Sequence, residues 1–312
     1  MSDQHPYMKT VLLLLLPFFY PFNLLANRID SLKTNRDVER FVTSIDSTIQ
    51  KYSLKGNDFQ VIPRETLVSF AQSEHLQNLD KIRSWQKLDL NHDGKTDLVI
   101  HARWFNSAVF VVMDMGHGLY KLYRLKPHEG SSGGQIAVPV YSGKNVFLVL
   151  YGPCCQNQTV GHCTDTVVYH DQAFIEYEAH PVKYAITSVT FTAHGCPMGE
   201  CLAYKIKVNS DRSARYVASS FIAHQGVYTC ILQQQLFGRL MDLLNYIHVG
   251  KMHQNFENCG VMDAGQWRLE VLFQNGSKMK YLISADQAPY GLLAVENLFS
   301  ELRRGQPWDK IK

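Results

Sequence analysis

The run Asp89-Leu90-Asn91-His92-Asp93-Gly94-Lys95-Thr96-Asp97 restricts the fold more than any other stretch of this chain. It sets oxygen-bearing side chains at its first, third, fifth and last positions around a glycine, and a glycine without Cβ lets the backbone turn through positive φ. Three carboxylates this close repel one another unless a cation sits among them. Calcium takes about six to eight hard oxygens, and a tight loop supplies them from alternate side chains, one main-chain carbonyl and a further group near the end. The expected ligands are Asp89, Asn91, Asp93, the carbonyl of Lys95, and Asp97, with calcium as cofactor. A plain Asp-Gly turn accounts for Gly94 and one or two of the acids, but it leaves the spacing of Asp89 and Asp97 without a cause.

The residues after the loop decide its setting. An EF-hand needs a bidentate Glu at the twelfth position and a helix after it. Here Ile100 stands at that position, and Leu98-Val99-Ile100-His101-Ala102-Arg103-Trp104 is apolar and β-prone, so the loop feeds a strand. In that form residues 86–104 resemble the calcium loops of FG-GAP or VCBS-type repeats, whose core is Asp-x-Asn-x-Asp-Gly-x-x-Asp before a short strand. The resemblance implies an extracellular β module. The motif occurs once, and a propeller needs about four or more blades, so a whole propeller is not expected.

The first 26 residues read as a signal peptide. Lys9 precedes Val11 to Leu16, and the apolar stretch reaches Ala26, broken by Pro17, Pro21 and Asn23. It falls short of the roughly 20 apolar residues that span a bilayer. Cleavage after Ala26 is expected, with Met8 as an alternative start, and no integral membrane segment is expected in the mature chain. These features imply an extracytoplasmic location, periplasmic or secreted. In such a compartment seven cysteines suggest disulfides. The local groupings are Cys154 or Cys155 with Cys163, Cys196 with Cys201, and Cys230 with Cys259. Zinc at Cys154, Cys155, His162 and Cys163 is disfavoured because adjacent cysteines make poor tetrahedral geometry. Net charge is only +3, and no basic stripe is interleaved with aromatics, so nucleic acid is not an expected partner. A protein or carbohydrate partner stays open.

An α+β fold is expected. Residues 27–84 form a helical segment, 85–180 a β-rich meander or propeller-like module with the calcium loop, and 181–312 an α+β domain. Val38, Phe41, Val42, Ile45, Ile49 and Tyr52 recur at helical spacing, which predicts one helix from Asn35 to Tyr52, and a second helix starts at Pro63. Short β-type runs extend from Leu98 to Tyr177. Beyond them, alternation at Tyr204, Ile206 and Val208, a leucine stripe from Leu232 to Ile247, a hairpin at Asn275-Gly276 and a last helix near Pro289 give the order strands, helix, hairpin, helix.

That last region resembles a bacterial domain-of-unknown-function family, number 6438, common in exported proteins. Carrying residues are Ile186 to Phe191, Cys196 and Cys201 around Gly199, Tyr204, Gly226, Asp263, Pro289 and Trp308. The chain has one more residue between the two cysteines than the family pattern, and Leu202 replaces a proline. The resemblance implies no reaction.

Catalytic constellations are weak. No Gly-x-Ser-x-Gly stretch sits at the strand-to-helix turn that a nucleophile elbow needs, and His128-Glu129 lacks the second histidine of a zinc peptidase. His194 beside Cys196, and Asp263 with Glu270, are the pairs worth locating. Glu129 to Gly134 lacks the ending of a phosphate loop and reads as a linker. Trp104, Phe105 and Trp308 fit no alternating pattern, and an exposed cluster of them would mark a binding surface. Binding or structural support is favoured, with an exported hydrolase as the alternative.

Overall fold

Helix α1 (Asn35–Ile45) starts where Thr34 can serve its unpaired N–H groups. The Thr34 hydroxyl accepts from Asp37 N–H, and the Asp37 carboxylate accepts from Thr34 N–H, a reciprocal cap. The single helix expected from Asn35 to Tyr52 is instead two, because Asp46 stops α1 and starts α2 (Ser47–Ser53). Its Oδ1 accepts from Thr48 N–H at 2.9 Å and Ile49 N–H at 2.8 Å, so the side chain replaces carbonyls of the preceding turn. Asp46→Ala is expected to cost about 1 kcal/mol in urea unfolding; an unchanged midpoint would remove this account of the break.

The structure is a computed structural model. It describes residues 27–73, 75–77, 79–125, 135–143, 145–156, 159–194, 202–220, 225–252, 255–256, 266–284 and 288–311, with side chains left out at 153–162, 255–256 and 284. The signal-peptide reading of residues 1–26 and the linker at 129–134 lie outside them.

After α2 come β1 (Gln60–Val61), α3 (Arg64–Ser73), β2 (Trp85–Leu88), β3 (Asp97–Trp104), β4 (Asn106–Gly116) and β5 (Leu119–Leu125). They make an antiparallel sheet ordered β1-β3-β4-β5, with β2 also on β3. A second meander comes next, in strict chain order: β6 (Ile136–Ser142), β7 (Asn145–Gln156), β8 (Thr159–His170) and β9 (Ala173–Glu176). The remainder is β10 (Ile186–His194), β11 (Ala203–Asn209), β12 (Ser213–Ser220), β13 (Gly226–Ile231), α4 (Gln234–Tyr246), β14 (Asn255–Phe256), β15 (Gln266–Phe273), β16 (Lys278–Ser284), α5 (Tyr290–Gly305) and β17 (Asp309–Lys310). These strands form one eight-stranded sheet in the order β14-β16-β15-β10-β11-β12-β13-β17. Among the described residues no sheet closes on itself, and the class is α+β.

Burial explains the sequence patterns. Leu98, Ile100, Ala102, Phe110 and Val112 face α1 and α2, while Val99, Val109, Val111 and Met113 face Ala137, Leu148, Leu150 and Val167 of the second meander. With both faces covered, β3 and β4 read as continuous apolar runs. Helices α1 and α2 thus form one layer on the first sheet, while α3 packs through Leu67 and Ala71 on Ile136 and Val138 of β6. In the eight-stranded sheet β11 and β15 alternate buried and exposed, because α4 and α5 cover one face only. Ile175 of β9 joins the core beneath α4 and α5, which ties the second meander to the C-terminal region. Among the described residues no helix is long and apolar enough to cross a membrane.

Candidate functional site

The Asp89–Asp97 loop hangs from Asp97, the first residue of β3, whose side chain is fully buried. Its Oδ2 accepts from Leu90 N–H and its Oδ1 from Asp114 N–H, both at 2.9 Å. Burial pushes the Asp97 carboxyl up to about 6 against those two bonds, and the charges of Asp93 and Asp89 push the same way. Above it, Asp89 accepts from Asp93 N–H at 3.2 Å and Gly94 N–H at 3.0 Å, and Asn91 Oδ1 accepts from Asp93 N–H at 3.3 Å. Gly94 takes φ +79°, the turn its missing Cβ permits.

Lys95 supplies both its N–H and its Nζ to Asp93, at 2.9 and 2.6 Å. Partial burial opposes ionisation of Asp93, but these bonds outweigh it and hold the carboxyl below its usual range. Behind the lysine stem lies Gly116, where a Cβ would stand 3.1 Å from Lys95 Cε. The five sequence-expected ligand residues therefore share one turn. Their donors are hard oxygens, the kind calcium takes. Among the described residues, however, no three acids, histidines or cysteines gather on a common centre; the carboxylates turn onto backbone N–H groups and the Lys95 ammonium.

Asp114, on β4, escaped the sequence reading as a loop partner. It is buried, and its Oδ1 accepts from Gly116 N–H at 2.7 Å. An acid within an otherwise apolar strand was the available signal.

A cleft of about 660 Å³ opens where β5, the β8–β9 turn, α4 and α5 meet. Arg239 dominates it, reaching Asp171 at 3.0 Å and Glu301 at 3.0 Å. One guanidinium binds both carboxylates, so neither is poised as a general acid or base. Nearby, the Tyr123 and Tyr169 hydroxyls meet at 3.3 Å, and burial raises the pKa of each. Sequence spacing could not find this cluster, since its members lie 62 and 68 residues apart.

At the β3–β4 turn, Tyr52, Trp104 and Phe105 pack edge to face, with ring centroids 5.0–6.1 Å apart. Phe105 is 53 % exposed at φ +62°, a conformation costly for a bulky side chain, and Leu54 beside α2 is 86 % exposed. Trp308, in contrast, packs on Tyr216 and the C-terminal core.

The remaining candidates separate. His194 ends β10, but Cys196 lies outside the described residues, as do Asp263, His128 and Glu129. Glu270 is engaged by Lys278 at 2.8 Å. Cys230 is a free thiol, buried against the helix layer, which corrects the Cys230–Cys259 grouping; burial pushes it up to about 11. The side chains of Cys154, Cys155, His162, Cys201 and Cys259 lie outside the described set.

Strands β10 to β13, then a helix, a hairpin and a closing helix, are the order that the alternation and periodicity of residues 181–312 predict. Residues 187–303 match the family model described as Domain of unknown function (DUF6438). The DUF6438 match runs from the second residue of β10 to the last turn of α5, and it leaves the loop and both meanders outside. No curated protein and no solved structure matches the chain.

Proposed function

We propose that the chain is an exported binding or structural protein, working at the cell surface or in the periplasm, whose Asp89–Asp97 turn takes up calcium. The observation that carries this reading is the crowding of Asp89 and Asp93 over the fully buried Asp97, with only the Lys95 ammonium set against them among the described residues. Calcium there would hold Asp89, Asn91, Asp93 and the Lys95 carbonyl, and would relieve the repulsion that one lysine offsets in part. The five-stranded first sheet and the four-stranded meander, stacked through the core that Val111 and Leu148 share, accord with neighbouring propeller-type blades of FG-GAP or VCBS kind. The exposed Phe105, packed on the half-buried Tyr52 and Trp104, supports binding as the role, with a protein or carbohydrate as partner. The cleft does not favour the hydrolase alternative, since Asp171 and Glu301 both face Arg239.

Extracellular calcium modules bind at roughly 10⁻⁴ to 10⁻³ M. Calcium at about 10 mM should then add on the order of 1.5–3 kcal/mol, a rise of several degrees in Tm. Asp93→Ala is expected to abolish that increment while hardly moving the Tm measured in chelator. An equal loss in calcium and in chelator, or no calcium increment in the parent chain, would count against the ion.

A further inference from the structure

The exposed face of the eight-stranded sheet carries a charge pattern that the linear sequence disperses. Five adjacent strands, β16, β15, β10, β11 and β12, hold six cations and one acid. All of them lie on the face that α4 and α5 leave open. Register fixes this: Thr190 of β10 stands between Lys207 and Glu270, and Thr192 between Lys205 and Arg268. Lys207 in turn faces Arg215 of β12, and Glu270 faces Lys280 of β16. Lys278 lies two residues from Lys280 on the same face. Each of the six cations is exposed. Glu270 offsets Lys278 at 2.8 Å and reaches Lys280 at 4.0 Å, while Lys205, Lys207, Arg215 and Arg268 have no acid at ion-pair distance among the described residues.

The central strand is different. On this face β10 offers Ser188, Thr190 and Thr192, and the first two are buried between the longer side chains of their neighbours. A floor of hydroxyls thus runs along β10 between a basic bank on β11–β12 and another on β15–β16. Strand spacing makes the whole about 19 Å wide, and the hydroxyl floor is about 13 Å long. Each bank includes one arginine, the side chain whose fork matches a carboxylate.

We propose that this trough binds an acidic polysaccharide, its uronate carboxylates paired with the two banks and its sugar hydroxyls hydrogen-bonded to the floor. The charge complement selects a polyanion, and the floor selects one rich in hydroxyls. Among the described residues of the five strands no Phe, Tyr or Trp ring lies on this face to stack a nucleic-acid base, and the His194 imidazole stands at its edge, on the last residue of β10. Its exposed large apolar side chain, Leu282, sits on the outer strand β16 rather than at the centre, where insertion into a lipid surface would need it.

The test is fluorescence anisotropy with a labelled oligogalacturonate of about ten sugars, on the full mature chain, in chelator so that calcium binding at the Asp89–Asp97 turn plays no part. Binding is expected at 50 mM NaCl, weakening at least tenfold by 200 mM. Lys205→Glu with Lys207→Glu should weaken it at least tenfold more. Lys33→Glu with Arg36→Glu, the same charge change near α1, should leave it unaltered. Lys205→Gln with Lys207→Gln serves if the reversal alters the circular dichroism melt. Equal losses in both charge-reversed pairs would reduce the effect to net charge and overturn the site. Absence of binding at 50 mM would overturn it as well. Tighter binding of duplex DNA or phosphatidylglycerol vesicles than of the oligogalacturonate, lost in the same variant, would overturn the assigned occupant.

Discussion

Glu176→Ala is expected to destabilise the folded chain by about 2–4 kcal/mol in urea unfolding. Helix α5 opens at Tyr290 after Pro289, which has no side-chain group to cap it. The first N–H groups of the helix are served instead by Glu176, 114 residues away at the end of β9: Tyr290 N–H donates to Oε1 at 2.6 Å and Gly291 N–H to Oε2 at 2.8 Å. A carboxylate at a helix N-terminus also meets the positive end of its dipole. Gly291 makes the approach possible, since a Cβ there would stand 2.6 Å from Ile247 Cγ2 and 3.2 Å from Glu176 Oε2. Burial pushes the Glu176 carboxyl up, against the lowering by these backbone bonds. Alanine leaves both donors without a partner in a partly buried seam and removes a polar tie between the second meander and helix α5. Glu176→Gln should lose less, because its single carbonyl oxygen can keep one of the two bonds. A loss below about 0.5 kcal/mol for alanine would show that water replaces the carboxylate without penalty.

That tie was not legible in the sequence, and the reason is general to this chain. Local signals were readable where the determinant is local. Pro63 before α3, the Asn275-Gly276 turn with Gly276 at φ +81°, and Pro289 before α5 each act within a few residues. Alternation found β11 and β15 because one face is solvated. Apolar periodicity missed the break at Asp46, since the hydrophobic stripe continues through a side-chain hydrogen bond that leaves it intact. It shortened β8, expected over Thr166 to Tyr169, because the added part, from Thr159, pairs with Gly152 and Pro153, residues of low strand propensity. The short strands β1 and β17 exist only through long-range pairing with β3 and β13. The loop residues Asp89 to Asp97 were legible as a set because chemistry repeats along nine positions. Arg239 with Asp171 and Glu301, and the basic banks beside β10, were not, because only the tertiary register assembles them.

Acidification should remove on the order of 3 kcal/mol of stability between pH 6.5 and about 4 through one buried imidazole. His101 lies on β3 and points into the contact with the second meander, where its Nε2 accepts from Ala137 N–H at 2.9 Å. That bond fixes the neutral tautomer with the proton on Nδ1. Burial pushes the pKa down to about 4, against the opposing influence of the backbone of Ser84 and Arg83. In the unfolded chain the ring titrates near 6.5. Between the two values the unfolded state binds the extra proton and the folded state does not, so stability is fully present above pH 6.5 and is lost as pH falls towards 4. Protonation would also set a second ring N–H against the Ala137 N–H and part β3 from β6. His101→Gln keeps an acceptor for Ala137 but cannot gain charge. Measured by urea unfolding at closely spaced pH, the difference between parent and variant should shrink steadily through this window. Parallel curves from pH 7 to 4 would mean that the imidazole charges in place, and the link between the two meanders would then need another origin.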